Sequence, residues 1–292
     1  MSFAIVTDTS ANLPSRLIRQ YELTILPFSF YINDAEHIDL EAEDFDADGF
    51  FKAMRAGVKV TTSQIPPQRY LDCFEPLLKS GRDVLFVSMS SGISGSYASA
   101  EIAAAELRER YPERRIRCVD TRTASLGEGL QVLRGAELRE QGKTIDETAD
   151  ILNEQMWHMC SIFTVDDLKY LRATGRLSGV ATIVGTMLHI KPILKGNELG
   201  QIVQAGKVRG RRKVIEELAA RYDKYAVAPE QQMIGVAHAD CLDDANYLVS
   251  LLKRNRPPKD ILFVDYEPVT GSHIGPGSLA LFFWADRNVR SK

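Results

Sequence analysis

Short apolar runs alternate with amphipathic stretches through the first half of the chain. Phe3-Ala4-Ile5-Val6 is an apolar run that ends in Thr7-Asp8-Thr9-Ser10. Asn12 and Pro14 follow as N-cap and first-turn residues in their expected order, so a helix should open there. Residues 23–30 read as a second strand. Residues 83–88 form a third, apolar enough throughout to be buried on both faces. Residues 116–119 make a fourth, and a helix follows over 125–140. Strands alternating with helices of this length predict a parallel sheet flanked by helices.

The second half has a different texture. Residues 161–164 read as a strand and 166–171 as a short helix, followed by a turn containing Gly175 and Arg176. Asn197-Glu198-Leu199-Gly200 lies between apolar runs at 190–194 and 202–203, the pattern of a hairpin. Helices over 213–222 and 243–253 separate strands at 233–237 and 260–264. The expected fold is α/β: an N-terminal α/β domain over 1–157 with a parallel sheet, then a C-terminal α+β domain over 158–292 with a largely antiparallel one. No Pro- or Ser-rich linker marks the boundary, so the two domains should be apposed, with a ligand cleft between them.

Composition narrows the classes of function. The chain has 292 residues, 45% hydrophobic and 26% charged, which suits a globular protein of about two domains with a full core. A net charge of −3 argues against a general binder of nucleic acid or anionic membranes. No run approaches the roughly eighteen apolar residues of a membrane span, which leaves only transient contact with a bilayer surface. The N-terminus lacks the basic region of a signal peptide, and the four cysteines (Cys73, Cys118, Cys160, Cys241) are widely separated. Reduced thiols in a cytoplasmic protein are expected.

Several motifs are decoys. Asp44-Phe45-Asp46-Ala47-Asp48-Gly49 matches the first half of an EF-hand loop, but the twelfth position is Arg55 where a bidentate Glu is required. Six acids between residues 39 and 48 precede a helix over 50–54, where carboxylates complement the macrodipole. No histidine is paired at metal-binding spacing with another ligand, so no metal or other cofactor is expected. The run Lys207-Val208-Arg209-Gly210-Arg211-Arg212-Lys213 lacks the aromatic interleaving of a nucleic-acid reader, and reads as a solvated patch or a docking point for an acidic or phosphate-bearing partner.

The hydroxyl clusters carry the chemistry. Thr61-Thr62-Ser63-Gln64 precedes Pro66-Pro67 and an amphipathic run at 70–78, placing its hydroxyls at a helix N-terminus. Ser88-Met89-Ser90-Ser91-Gly92-Ile93-Ser94-Gly95-Ser96 joins the buried strand to a helix over 97–107. Such turns lie at the carboxyl ends of parallel strands, where backbone N–H groups and hydroxyls can hold a carboxylate or phosphate. The plain alternative is helix capping. His273, in Gly271-Ser272-His273-Ile274-Gly275-Pro276-Gly277, is expected on a glycine loop that a ligand can approach closely. A hydrolase or phosphotransferase using Ser94 or His273 is the competing reading. Against it, Ser94 does not stand in a G-x-S-x-G elbow.

In order along the chain come Val6-Thr7-Asp8-Thr9-Ser10, Thr61-Thr62-Ser63-Gln64, Ser90-Ser91-Gly92-Ile93-Ser94-Gly95-Ser96-Tyr97 and Val119-Asp120-Thr121. Val165-Asp166-Asp167-Leu168-Lys169-Tyr170-Leu171, Gly175-Arg176-Leu177-Ser178, Lys191-Pro192-Ile193-Leu194 and His273-Ile274-Gly275-Pro276-Gly277 follow. Together they resemble the DegV family of bacterial fatty-acid-binding proteins. Two departures are Ala173-Thr174 ahead of Gly175-Arg176 and Ile65 between Gln64 and Pro66. The resemblance implies a binding protein with no catalytic residue, holding a long-chain fatty acid in an interdomain tunnel. It implies that Thr62 and Ser94 contact the carboxylate, with Thr61, Ser63, Gly95 and His273 as neighbours. A fatty acid kinase would be the partner, forming acyl-phosphate for phospholipid synthesis, and Arg176 and Arg209 are expected to face it.

Overall fold

The computed structural model describes residues 3–38, 45–178 and 189–291. The acids expected ahead of the first long helix at 39–44 lie outside the described residues, as does the C-terminal Lys292. The chain divides into two compact units, Met1–Phe45 with Val60–Met156, and Asp46–Lys59 with Trp157–Lys292.

The first unit opens with β1 (Ala4–Asp8), a 3-10 turn (Thr9–Ala11) and α1 (Ser15–Gln20). Pro14 stands at the N-cap of α1, whereas Asn12 closes the preceding 3-10 turn in the left-handed region. The strand expected over 23–30 is instead two strands, β2 (Thr24–Leu26) and β3 (Ser29–Ile32), in different sheets. Pro27 stands at the break, where a residue without an N–H cannot continue a ladder. β3 pairs antiparallel with both β4 (Ala35–His37) and β5 (Val60–Ser63) in a three-stranded sheet. Between β4 and β5 in the chain lies α2 (Ala47–Arg55).

After β5 come α3 (Pro67–Lys79), β6 (Val84–Ser88), α4 (Ser96–Arg110), β7 (Ile116–Asp120), α5 (Leu126–Glu140) and α6 (Ile145–Gln155). The order β2-β1-β6-β7 is parallel at every pairing. All five residues of β1 and of β6 are buried, as expected of central parallel strands. α3 packs on α4 and α5 on α6. The helix α6 is set by its capping box, Thr144 and Glu147 exchanging bonds across the first turn.

The second unit holds β8 (Met159–Thr164), α7 (Lys169–Ala173), β9 (Ile190–Gly196), β10 (Ile202–Arg209), α8 (Arg211–Tyr225) and β11 (Met233–His238). It continues with α9 (Leu242–Asn255), β12 (Asp260–Asp265), α10 (Pro268–Ile274) and β13 (Leu279–Trp284). Its six-stranded sheet runs β10-β9-β8-β13-β11-β12, antiparallel at every pairing except β11 with β12. The hairpin is pinned by Asn197, whose side-chain oxygen accepts from Leu199 N and Gln201 N, both at 2.9 Å. The core forms where α8 and α9 cover the sheet, with Tyr222 edge-on to Phe283 at 5.2 Å.

α2 groups with this second unit, although residues 46–59 fall inside the first domain as read from sequence. Its contacts give the reason: Phe51 packs against Gly271 of α10, where an added Cβ would lie 2.8 Å from the ring, and Arg55 pairs with Asp240 at 2.7 Å. The fold is α/β, a parallel sheet in the N-terminal region and a mixed, mostly antiparallel sheet in the C-terminal region.

Candidate functional site: the hydroxyl loops

Two chain segments meet at the carboxyl end of β6. The first is β5 and its exit. Its register sets Ser29 opposite Ser63, Phe30 opposite Thr62 and Tyr31 opposite Thr61. Thr61, Thr62 and Ser63 are therefore strand residues, not caps at a helix N-terminus as the sequence suggested. α3 begins four residues beyond Ser63, at Pro67, with Pro66 as an N-cap that offers no side-chain bond. A run of β-branched and hydroxyl residues favours pairing with β3 over capping. Thr61 is exposed, and Thr62 and Ser63 are half-buried.

The second segment is the loop from Ser88 to Ser96. Ser90 N donates to Thr123 O at 2.8 Å, and the Ser91 hydroxyl donates to Asp120 at 2.5 Å, tying the loop to the end of β7. Ser94 N bonds Ser90 O at 3.1 Å, closing a turn. Ser94 Oγ accepts from Ser96 N at 3.2 Å and lies 3.0 Å from Ser96 Oγ. Ser94 thus sits at the start of α4, as expected, half-buried beside an exposed Gly95.

The two segments are fastened together. Ile65 N donates to the buried Ser96 Oγ at 3.1 Å, and Gln64 Nε2 reaches Ser99 Oγ at 3.4 Å. A Cβ on Gly95 would meet the far end of the exposed Gln64 side chain, which would have to move aside to admit it. The structure therefore fastens the exit of β5, at Gln64 and Ile65, to Gly95, Ser96 and Ser99 within the first unit. Exposed and half-buried hydroxyls beside a helix N-terminus can donate to an anion, and a carboxylate accepts such bonds strongly.

His273 and Arg176 belong to the second unit. His273 lies in α10 rather than on a glycine loop, because Glu267 caps Val269 N and Thr270 N and starts a helix that runs through Ile274. Only Gly275 and Gly277 of that motif take positive φ. Burial pushes the His273 imidazole down to about 4, with the Arg176 guanidinium adding to the effect, so the ring is neutral near pH 7. Arg176 follows α7 in a turn closed by its own N–H to Leu171 O at 3.1 Å, and is half-buried.

Lys207 and Arg209 project from β10, an edge strand, and are exposed. The rest of the basic run is partly neutralised: Arg211 pairs with Asp244 at 2.7 Å and Arg212 with Glu216 at 3.5 Å. No group of three or more metal-binding side chains occurs among the described residues. A cavity of about 790 Å³ in the second unit is lined by Arg55, Asp166, His238, Asp240 and Asp265 among others. Sequence reading did not find it, since these acids come from separate elements and only their register gathers them.

Comparison with known proteins agrees with this architecture. The DegV family model, described as covering uncharacterised proteins, matches residues 2–286. A DegV domain-containing protein of Clostridium perfringens is 38% identical over 284 residues, covering 97% of this chain and 98% of its own. One from Lactococcus lactis is 32% identical over 286 residues, with 97% coverage of each. Among solved structures, a DegV family protein from Thermus thermophilus, described by its fatty acid binding, superposes with a TM-score of 0.88 at 28% identity, covering 98% of this chain and all of the other. DegV of Bacillus subtilis, described as a fatty acid binding protein, gives 0.83 at 27% identity and covers 98% and 99%. The chain belongs to the DegV family.

Proposed function

We propose that this protein binds a long-chain fatty acid and presents its carboxylate to a fatty acid kinase, acting as a cytoplasmic carrier that feeds acyl-phosphate to phospholipid synthesis. The observation that carries the binding step is the end-to-end likeness to the Thermus thermophilus protein described by its fatty acid binding. Thr62 and Ser94 are the proposed carboxylate contacts, with Thr61, Ser63, Gly95 and His273 as neighbours. Physical chemistry supports the choice of neutral donors. Each methylene taken from water contributes about 0.8 kcal/mol, so the chain alone supplies much of the affinity. The head group then needs hydrogen bonds without a clamp that would block the oxygens for phosphoryl transfer. Arg176 and the exposed Arg209 are the proposed points of contact with the kinase.

The enzyme reading gains nothing from the geometry. Among the described residues the hydrogen bonds of Ser94 Oγ go to Ser96, and a serine nucleophile needs a base there.

Native mass spectrometry of protein purified from bacteria tests the lipid reading. The expected result is a co-purifying mass of one long-chain fatty acid, or its appearance on adding palmitate or oleate to the delipidated protein. A protein that is empty and takes up neither would overturn it.

A further inference from the structure

Below the hydroxyl loop, the end of β1 meets the first turn of α5 in a knot of buried polar side chains. Thr7, Asp8, Ser10 and Glu128 all have zero solvent exposure. Asp8 caps the 3-10 turn after β1: its Oδ1 accepts from Ser10 N at 2.9 Å, and its Oδ2 accepts from Met89 N at 3.4 Å. Glu128 lies within α5, its carboxyl turned back towards β1. Thr7 Oγ1 is 3.0 Å from Glu128 Oε1. Ser10 Oγ is 2.7 Å from Glu128 Oε2 and also within hydrogen-bond reach of Asp8 Oδ1.

The hydrogens do not suffice if both carboxyls are ionised. Three oxygen–oxygen contacts join these four side chains, and Thr7 and Ser10 supply one hydroxyl hydrogen each. Ser10 cannot donate fully to two carboxylates at once. We infer that the site holds one extra proton, carried on Glu128 Oε2, so that Glu128 is a carboxylic acid and Asp8 a carboxylate in the native protein at neutral pH.

The placement follows from the acceptors. Both oxygens of Asp8 already take backbone N–H bonds, which suits the ionised form. Thr7 donates to Glu128 Oε1, and Oε2 faces Ser10 Oγ, which can accept from a proton carried there. The bonds then run in one direction: Thr7 to Glu128, Glu128 to Ser10, Ser10 to Asp8. Each O–H has one acceptor, and the buried pair carries one negative charge instead of two. Two like charges at this separation without water repel strongly, and neutralising one of them is the ordinary resolution.

Tyr70 of α3 is a titratable neighbour of the site. Its hydroxyl is pushed upward by burial and then by the charges of Asp8 and Glu128, so it stays neutral and offers no counter-charge. Burial also pushes Asp8 upward, to about 6, while bonds from Ser10 and from Met89 hold it down.

The proton balance is simple. In the unfolded chain at pH 7 both side chains are ionised and hydrated. Folding takes one proton from solution onto Glu128, and unfolding returns it. The native state binds the extra proton, so this site lowers the folding equilibrium constant about tenfold for each pH unit above the unfolded carboxylate range while the native pair keeps its proton.

Infrared spectroscopy of the wild-type protein, labelled with carbon-13 at glutamate or at aspartate side-chain carboxyls, reads the proton directly. A carboxylic-acid carbonyl band should persist at pH 7 and shift with the glutamate label. It should vanish in Glu128→Gln, whose amide reproduces both bonds, donating N–H to Ser10 and accepting from Thr7. Unfolding at pH 7 should release one proton more from wild type than from that variant. The absence of an acid band in wild type at pH 7 would overturn the inference. A band that moves with the aspartate label would overturn its placement on Glu128. The wild-type measurement stands even where Glu128→Gln does not fold.

Discussion

Burial moves two side chains of this protein in opposite senses, because it disfavours whichever form is charged. It holds His273 down to about 4 and lifts Asp8 to about 6. The consequences for stability have opposite signs. As pH falls below the ordinary histidine value of 6.5, unfolded His273 takes a proton that the native ring refuses, so stability is lost on acidification towards 4. Native Asp8 takes its proton first, so its contribution is present at low pH and is lost as pH rises from 3.8 towards 6. The two slopes oppose each other over roughly pH 4 to 6, which flattens the wild-type profile. Replacing His273 with Gln removes one of them. Unfolding free energies of His273→Gln from denaturant titrations should gain on wild type by about 2 kcal/mol between pH 7 and pH 4.5. A difference that stays constant with pH would mean that the ring titrates normally.

At the scale of elements, β5 and α4 are joined by the bond from Ile65 N to Ser96 Oγ, with the end of Gln64 lying beside Gly95. Gly95→Ala should push the end of the exposed Gln64 side chain aside and cost no more than about 1 kcal/mol. Gln64→Ala in the same chain should recover part of the loss. Thermal melts of the two single variants and the double variant read the coupling directly, and additive losses would show that the clamp does not exist. The junction also shows where the sequence was readable. The Ser88–Ser96 loop was legible because a continuous apolar strand, a Gly/Ser turn and an amphipathic run make a local pattern. β5 was not, because its pairing with β3 is a long-range fact and Thr61-Thr62-Ser63 suits a cap equally well. His273 misled for the opposite reason: the flanking glycines suggested a loop, whereas a capping Glu267 and the Pro268 after it had already started a helix. β13 was passed over, since Leu-Ala-Leu-Phe-Phe-Trp carries no period to mark it, although it occupies the middle of its sheet. The buried Asp8–Ser10–Glu128 knot was invisible, because it joins residues more than a hundred positions apart.

At the scale of the whole molecule, a ligand that binds only the folded protein raises its stability by mass action. The gain is about 2.7 kcal/mol at a hundredfold excess over the dissociation constant. That gain separates the acyl chain from its head group. A fatty acid and the fatty alcohol of the same length bury the same methylenes, so the tail contributes equally to both. Hydroxyl donors at Thr62 and Ser94 would favour the carboxylate, since hydrogen bonds to a charged acceptor exceed those to a neutral one by roughly 1 kcal/mol each. Delipidated protein should therefore melt at a higher temperature with the acid than with the alcohol at equal concentration. Ser94→Ala should narrow that gap by lowering the shift with the acid, leaving the shift with the alcohol nearly unchanged. The alcohol is the control that matters, because a variant with a damaged fold would lose both shifts together. Equal shifts for acid and alcohol in the wild type would place the head group away from these hydroxyls. The place of Ser94 at the start of α4 would then be accounted for by its backbone bond to Ser90 and its hydroxyl bonds to Ser96.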